Sequence, residues 1–389
     1  MTVKDYLFYQ ASQNKIPLGG TFELTPVCNF SCRMCYVRKS RGDMKREGKR
    51  EAALEDWIRL GRECRDAGML YLLLTGGEPF LYPGFHRLYE ALQDMGLLLS
   101  VNSNGSMIDA KELAWLKDHA PARMNITLYG ASPETYGRIC GNPDGYEKTV
   151  WAIRALREAG IAVVINASII PENAGDLEAI IGFGQELGVA VHAATYMFPP
   201  VRRCPEDTDS RLTPEESGRL LVMKQHCMME RDTFLETGRR CLETYEKRQA
   251  ERLTGRMADS AGQERDQNWG DIQGEPMKCR AGRSTFWVSW EGRMTTCGIM
   301  DFPAVENPFQ TPFLDCWRDL NEKVRRAVVL RECRGCPKEE ICHPCAAIIH
   351  AETGDVNKKA PYLCQMSDAA VKYWREMILQ EEKNGIDIK

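Results

Sequence analysis

Between residues 21 and 195 the sequence alternates six short apolar, β-prone segments with five amphipathic segments of helical period, and nothing else in the chain limits its fold as much. Residues 21–25, 69–75, 97–102, 124–129, 161–168 and 189–195 read as strands. Leu54, Trp57, Ile58 and Cys64 recur at helical spacing, as do Phe85, Leu88, Leu92 and Met95, then Leu113 and Leu116, then Tyr146, Val150 and Ile153, and last Leu177, Ile180, Ile181 and Leu187. Glycines 68, 96, 160 and 188 stand where four of these helices should stop, and Asp109 is placed to cap the start of another. Strands that alternate with helices form a parallel sheet with right-handed crossovers. Six units are two fewer than a full barrel, so the fold class expected is α/β, a partial (β/α)6 barrel, with a doubly wound open sheet as the rival.

Each of the first four strands is followed by a polar or glycine-rich element. Cys28, Cys32 and Cys35 follow the first, Gly76, Gly77 and Glu78 the second, Asn102 to Gly105 the third, and Tyr129 and Gly130 the fourth. In a parallel barrel these strand ends converge on one mouth, where active sites are built. Three thiolates can hold three corners of a four-iron cube and leave the fourth iron open to a substrate or cofactor; an electron carrier has all four held. By spacing alone the triplet also suits a zinc knuckle or three unrelated buried thiols.

The chain has 16 cysteines in 389 residues, and residues 1–17 hold no apolar run of signal-peptide length. Without secretion, disulfides are a poor use for so many thiols, because the cytosol keeps them reduced, and metal sites are the better one. A cytoplasmic chain with no membrane span is expected. Lys and Arg total 51 against 55 Asp and Glu, a net charge of −4 that gives no reason to expect nucleic acid as a partner. Seven cysteines cluster near the C-terminus: Cys279, Cys297 (five residues after Gly292), the pairs Cys333/Cys336 and Cys342/Cys345, and Cys364. Two Cys-x-x-Cys pairs suit either structural zinc or an iron–sulfur cluster, yet seven ligands exceed one tetrahedral site.

On these residues the chain resembles the radical S-adenosylmethionine (SAM) enzymes. Their signature is three cysteines spaced as Cys28, Cys32 and Cys35 are, after the first strand of a six-stranded partial barrel, with a Gly-Gly-Glu element after the second that matches Gly76, Gly77 and Glu78. The resemblance implies that the open iron chelates SAM and that reductive cleavage gives a 5′-deoxyadenosyl radical, which takes a hydrogen atom from the substrate. It also assigns the cofactor contacts. Gly76 and Gly77 would let backbone approach SAM, and Glu78 or a neighbouring carbonyl would accept from its ammonium. Met34 would pack on adenine, Asn104 and Thr127 would meet the ribose, and Arg138 would pair with the methionyl carboxylate. Ordinary capping or surface pairing is the alternative for Asn104, Thr127 and Arg138.

The C-terminal cysteines resemble the SPASM extension of that family, a cysteine-rich auxiliary iron–sulfur domain with two further [4Fe-4S] clusters, for three in all. By that pattern Cys333, Cys336, Cys342 and Cys364 would hold one cluster, and Cys279, Cys297 and Cys345 the other. Two departures stand out: the last pair has one intervening residue fewer than usual, and no cysteine follows Cys279 at short range. The second set therefore has an open or non-cysteine ligand, with Cys316 a candidate to close it.

The domains read as an N-terminal segment 1–20, a radical SAM barrel 21–198, a helical insert and polar linker 199–275, the auxiliary domain 276–366 and a C-terminal helix 367–389. Thr213, Pro214 and Glu216 mark a capped helix start in the insert, and the charged helical stretch that follows runs to about residue 256. Arg202 and Arg203 are placed to meet an anionic substrate, although a solvated bridge explains the insert equally. Cys140 falls in the loop after the fourth strand, where it would be either a hydrogen donor to a substrate radical or an idle thiol. Relatives with this extension often act on peptides or proteins, forming crosslinks and thioethers or epimerising residues, and a minority act on small molecules or in cofactor biosynthesis. Sulfatase maturation is disfavoured because Gly298 stands where that group has its Asp base; Asp301 is the lesser candidate. A peptide or protein substrate is expected, either with a separate leader-binding protein or independent of a leader, together with a reductant such as flavodoxin or ferredoxin. The competing class is a non-catalytic iron–sulfur or zinc protein, which has no need of Gly76, Gly77 and Glu78.

Overall fold

The computed structural model describes residues 2–199, 210–254, 275–276, 279–300, 303–305, 307–325, 328–329, 333, 336–342 and 345–386. The six expected strands form as β1 (Gly19–Glu23), β2 (Tyr71–Thr75), β3 (Leu98–Ser103), β4 (Arg123–Thr127), β5 (Val163–Ser168) and β6 (Ala190–Ala194). They pair parallel in consecutive order. That order is the wall of a barrel; a doubly wound sheet reverses direction beside its first strand.

Sequence periodicity does not show what happens on the other side of β1. The strand Thr285–Val288 pairs parallel with it and carries Met294–Thr295 and Ala304–Val305 antiparallel beyond, so one sheet holds nine strands among the described residues. Such short strands, so far along the chain, leave no periodic signal of their own.

Strand alternation gives the sheet two faces. Phe22 on β1 meets Trp57 of the helix Leu54–Asp66 with ring centroids 4.8 Å apart, and Leu72, Leu74, Val101, Met124, Ile126 and Ile165 lie buried on that same helix-covered side. The opposite face carries Thr21, Glu23, Thr75, Ser100, Asn102, Asn125, Thr127, Asn166 and His192 in register. Apolar outside and polar inside is the pattern of a barrel that keeps its interior for a ligand.

The helix stops fall where expected, with Gly68, Gly96, Gly160 and Gly188 all at positive φ, and Asp109 accepts from the Glu112 N–H at 2.8 Å as the cap of Ala110–Asp118. One expectation is corrected: Cys140 is not on a loop. It ends the helix Pro133–Cys140, which Ser132 caps and Pro133 starts. Glu134 and Arg138 on its polar side hide so short a helix from periodicity. The helices Val3–Asn14 and Arg41–Arg46, each with a capping box, also escape a reading by apolar period.

The chain falls into two compact units. One holds the described residues within 1–194, 199–211 and 278–325, which include the whole nine-stranded sheet; the other holds those within 195–198, 212–277 and 326–389. The second unit is helical. Thr213 caps Pro214–Met228 through the expected box with Glu216, and the charged stretch after it is a separate helix, Arg231–Leu253. These two pack with Pro361–Ile386 around Val222, Phe234, Leu235, Ala370 and Trp374. Pro361–Ile386 carries Cys364. Among the described residues no helix is long and apolar enough to cross a membrane.

Candidate functional site

The cysteine loop is held by continuing the β1–β2 pairing past the ends of both strands. Leu24 donates to the Thr75 carbonyl at 2.8 Å, Gly77 to Thr25 at 2.6 Å, and Glu78 to Val27 at 2.9 Å. A Cβ on Gly76 would stand 2.5 Å from the Thr25 oxygen, and one on Gly77 would stand 2.5 Å from that of Val27 and 2.6 Å from that of Pro26. The glycine pair is thus what lets the backbone leading to Cys28 lie against the end of β2. Gly77→Ala is expected to push residues 25–28 away, at a cost of about 1–3 kcal/mol, and to weaken SAM binding at least about tenfold. Thermal denaturation and equilibrium SAM binding check the two effects.

Donors reach two of the three thiols. Phe30 N–H points at Cys28 Sγ at 3.4 Å and Asn104 Nδ2 at 3.7 Å, and Arg38 N–H points at Cys35 Sγ at 3.3 Å. Sulfurs so supplied suit thiolate ligands, since hydrogen bonds to sulfur stabilise the anion. Burial pushes the Cys28 thiol up to about 12 and raises Cys35; Cys32 is raised by its hydrogen bond to Cys140 and then by burial. Ligation would therefore release protons. Among the described residues no three His, Cys, Asp or Glu side chains group so as to hold a metal ion. A cube is bound differently, each thiolate taking its own iron, so its ligands need not converge on one point.

Glu78 is fully buried beneath this loop. Ser103 Oγ donates to both its oxygens at 3.0 and 3.1 Å, Asn104 N–H to Oε2 at 2.9 Å, and Phe80 N–H to Oε1 at 3.3 Å. Burial raises it to about 7, against the pull of those donors. Its carboxyl thus ties the ends of β2 and β3 together.

Other expected residues are placed as follows. Asn104 uses its amide on Cys28 and on Asn29 Oδ1 (2.9 Å) while Ser106 donates to its oxygen, so the side chain braces the cysteine loop. Thr127 ends β4 in register with Asn166, and Met34 is half-buried beside Cys35. Arg138 donates to Thr135 Oγ1 at 3.1 Å and to the Glu172 carbonyl at 3.3 Å. Cys140 is 1% exposed and its thiol meets that of Cys32. Asp301, Arg202 and Arg203 lie outside the described residues. A reading by motif misses Glu23, fully buried on the inner face, where it accepts from Trp287 Nε1 at 3.2 Å. An acid inside the apolar run Phe22 to Leu24 was the available signal.

In the helical unit, burial pushes Cys342 up to about 11, and Cys364, Cys333 and Cys336 are its charged neighbours. Lys338 Nζ donates to the Cys364 carbonyl at 3.1 Å, and Arg248 to that of Cys336 at 3.4 Å. Cys279, exposed, and Cys297, half-buried, lie in the sheet unit; Cys345 lies in the helical one. Cys316 is buried beside Cys64, with its thiol on the Thr311 carbonyl.

Residues 22–184, which run from the end of β1 through β5 and include the cysteine loop, match the model of the radical SAM superfamily. The chain carries a radical SAM domain. It is 24% identical to an AdoMet-dependent heme synthase of Methanosarcina barkeri over 344 residues, 88% of this chain and 94% of that protein. It is 27% identical to the PqqA peptide cyclase of Rhizobium meliloti over 183 residues, 47% of this chain and 48% of that protein. In fold it is similar to SuiB of Streptococcus suis in the crystal structure with its precursor peptide SuiA: TM-score 0.61 and 16% identity, covering 93% of this chain and 80% of that one. The protein is a radical SAM enzyme, with the cysteine-rich C-terminus expected of an auxiliary-cluster extension.

Proposed function

We propose that this radical SAM enzyme modifies a peptide or protein by hydrogen-atom abstraction, with the substrate held over the polar inner face of the sheet. The observation that carries the site is the meeting of Cys28, Cys32 and Cys35 with the Gly76–Gly77 cradle and buried Glu78 at the ends of β1 to β3. The three thiols would hold an iron–sulfur cluster that, with SAM, would supply a 5′-deoxyadenosyl radical. The protein's own part is placement: Asn104 and Phe30 steady Cys28, Arg38 steadies Cys35, Glu78 ties the ends of β2 and β3, and its carboxyl or a neighbouring carbonyl would accept from the ammonium of SAM. Water is kept from Glu78 by burial, which strengthens every polar contact it makes. The peptide reading draws on the PqqA peptide cyclase relative and on the precursor peptide in SuiB.

A second reading, cofactor biosynthesis on a small molecule, has one observation in its favour. The heme synthase matches along 88% of the chain, whereas the peptide cyclase matches along less than half. Anaerobic reconstitution with iron and sulfide, reduction, and assay of 5′-deoxyadenosine tests the chemistry; no cleavage with full clusters would falsify it. Mass spectrometry then separates the substrates. Peptide maturation predicts a mass change in a co-expressed precursor peptide and none in a heme precursor, and the reverse result transfers the enzyme to the second reading.

A further inference from the structure

The cysteine loop runs on into a strongly cationic stretch. Residues 33–50 carry eight Lys and Arg against two acids, Asp43 and Glu47, in a chain whose net charge is −4. The stretch begins on the loop itself: Arg38 N–H points at Cys35 Sγ at 3.3 Å, and Lys39 N–H donates at 3.0 Å to the carbonyl of Pro26, two residues before Cys28. It continues through the helix Arg41–Arg46, which Ser40 caps and in which Met44 alone is buried.

Five of the eight cations are paired. Arg33 meets Glu172 at 3.0 Å, Lys39 meets Glu47 at 2.5 Å, Arg41 meets Glu51 at 3.9 Å and Lys49 meets Glu291 at 2.6 Å, while Arg46 pairs with Asp43. The side chains of Arg38, Lys45 and Arg50 make no hydrogen bond or ion pair with a carboxylate among the described residues; Lys45 and Arg50 are exposed, and the Nε of Arg38 is buried without an acceptor. Five carboxylates, three of them from outside the stretch, thus leave three positive charges over. Arg41 and Arg46 add to these, because their side chains are 61% and 74% exposed and exposed pairs open at little cost.

The position of this surface indicates what it receives. It is continuous with the loop that holds the three cysteines, and on that loop Cys28 and Cys35 are half-buried where Cys32 is buried. SAM and substrate take the polar inner face of the sheet, so an electron for the cluster arrives across the loop. The anion that belongs beside a cluster is a protein with acidic side chains around its own redox centre.

We propose that Arg38, Lys45 and Arg50, with the exposed cations of the helix Arg41–Arg46, form the docking surface for an acidic one-electron carrier protein that reduces the cluster on Cys28, Cys32 and Cys35. The proposal rests on the cluster reading above. One electron leaves the reduced carrier and enters the oxidised cluster, and no atom or proton is exchanged. Opposite charge on the two faces speeds encounter and fixes orientation more than it adds affinity, which suits a carrier that must leave after each electron.

The test uses the reconstituted full-length enzyme with an acidic flavodoxin as carrier and photoreduced deazaflavin as a small reductant that needs no docking. Stopped-flow absorbance reads cluster reduction, and calorimetric titration reads complex formation. Lys45→Glu/Arg50→Glu, which breaks no ion pair, is expected to slow reduction by flavodoxin at least about tenfold at low salt and to weaken the complex, with reduction by deazaflavin unchanged. Raising the salt from about 0.02 M to about 0.5 M should slow the wild type and bring the two proteins together, because exposed charges are then screened. Lys45→Gln/Arg50→Gln, which removes charge without reversing it, should fall between them. Equal rates with flavodoxin at low salt in the wild type and either variant overturn the proposal. So does a variant that keeps its reduction by flavodoxin and loses affinity for an acidic precursor peptide, which assigns the surface to the peptide. Failure of the cluster reading has a different signature, namely no reducible cluster with deazaflavin in the wild-type enzyme.

Discussion

Alanine at Cys28, Cys32 and Cys35 together is expected to abolish reductive cleavage of SAM while leaving at least half of the iron in place. With three four-iron clusters the count should fall from about twelve to about eight per chain, and with one auxiliary cluster from about eight to about four. The protein should remain folded. The three side chains are small, none is in a disulfide, and the helical unit that holds Cys333, Cys336, Cys342 and Cys364 packs on its own core of Phe234, Leu235 and Trp374. Removing a buried thiol leaves a cavity smaller than a lost leucine does, so each change should cost roughly 1 kcal/mol, below the 2–5 kcal/mol of leucine truncations. Iron and sulfide analysis, thermal denaturation and the yield of 5′-deoxyadenosine read the three expectations separately. Residual cleavage by the triple variant would remove these cysteines from the chemistry. Complete loss of iron would show instead that the auxiliary sites do not assemble alone.

The repeating part of this fold is legible in the sequence because the signals that make it are local. Apolar period, a glycine at positive φ and an Asp cap each act within a few residues, and together they locate β1 to β6 and the helices between them. What the sequence hides is non-local. Nothing near Thr285–Val288 tells that it will extend the sheet beside β1, because that pairing is decided by a partner far away in the chain. Gly76 and Gly77 show the same limit at finer scale. Their pattern marks a functional loop correctly, but the atoms that exclude a side chain there belong to Thr25, Pro26 and Val27, which only the fold brings near. Asn104 reads as a cofactor contact by its position at a strand end, and in the structure it braces Cys28. The triplet itself is legible because its chemistry lies in spacing, whereas the residues around it, Tyr129, Asn104 and Cys140, are scattered over two strand ends and a helix.

Glu78→Gln is expected to flatten the pH dependence of stability in the cluster-free protein and to weaken SAM binding. Burial holds Glu78 at about 7 in the folded chain, above the ordinary 4.5, so folding favours the neutral acid. The stability this contributes is fully present below about pH 4.5 and is lost as pH rises through 7, a change of roughly 3 kcal/mol. Glutamine keeps the shape and cannot ionise, but its NH₂ must stand where a carboxylate oxygen now accepts, facing either Phe80 N–H or Asn104 N–H. That mismatch costs about 1–3 kcal/mol at every pH. Urea midpoints at pH 5 and pH 8.5 should therefore favour the wild type clearly at the lower pH and narrow or reverse at the higher. Binding runs the other way. If the ammonium of SAM pairs with the carboxylate, wild-type affinity must climb with pH up to about 7 and level off above it, because below that point a proton has to leave first. The glutamine variant should bind weakly, by at least about tenfold, and without that rise. Parallel binding curves for the two proteins across this range would assign Glu78 to holding β2 and β3 together and remove it from the cofactor site.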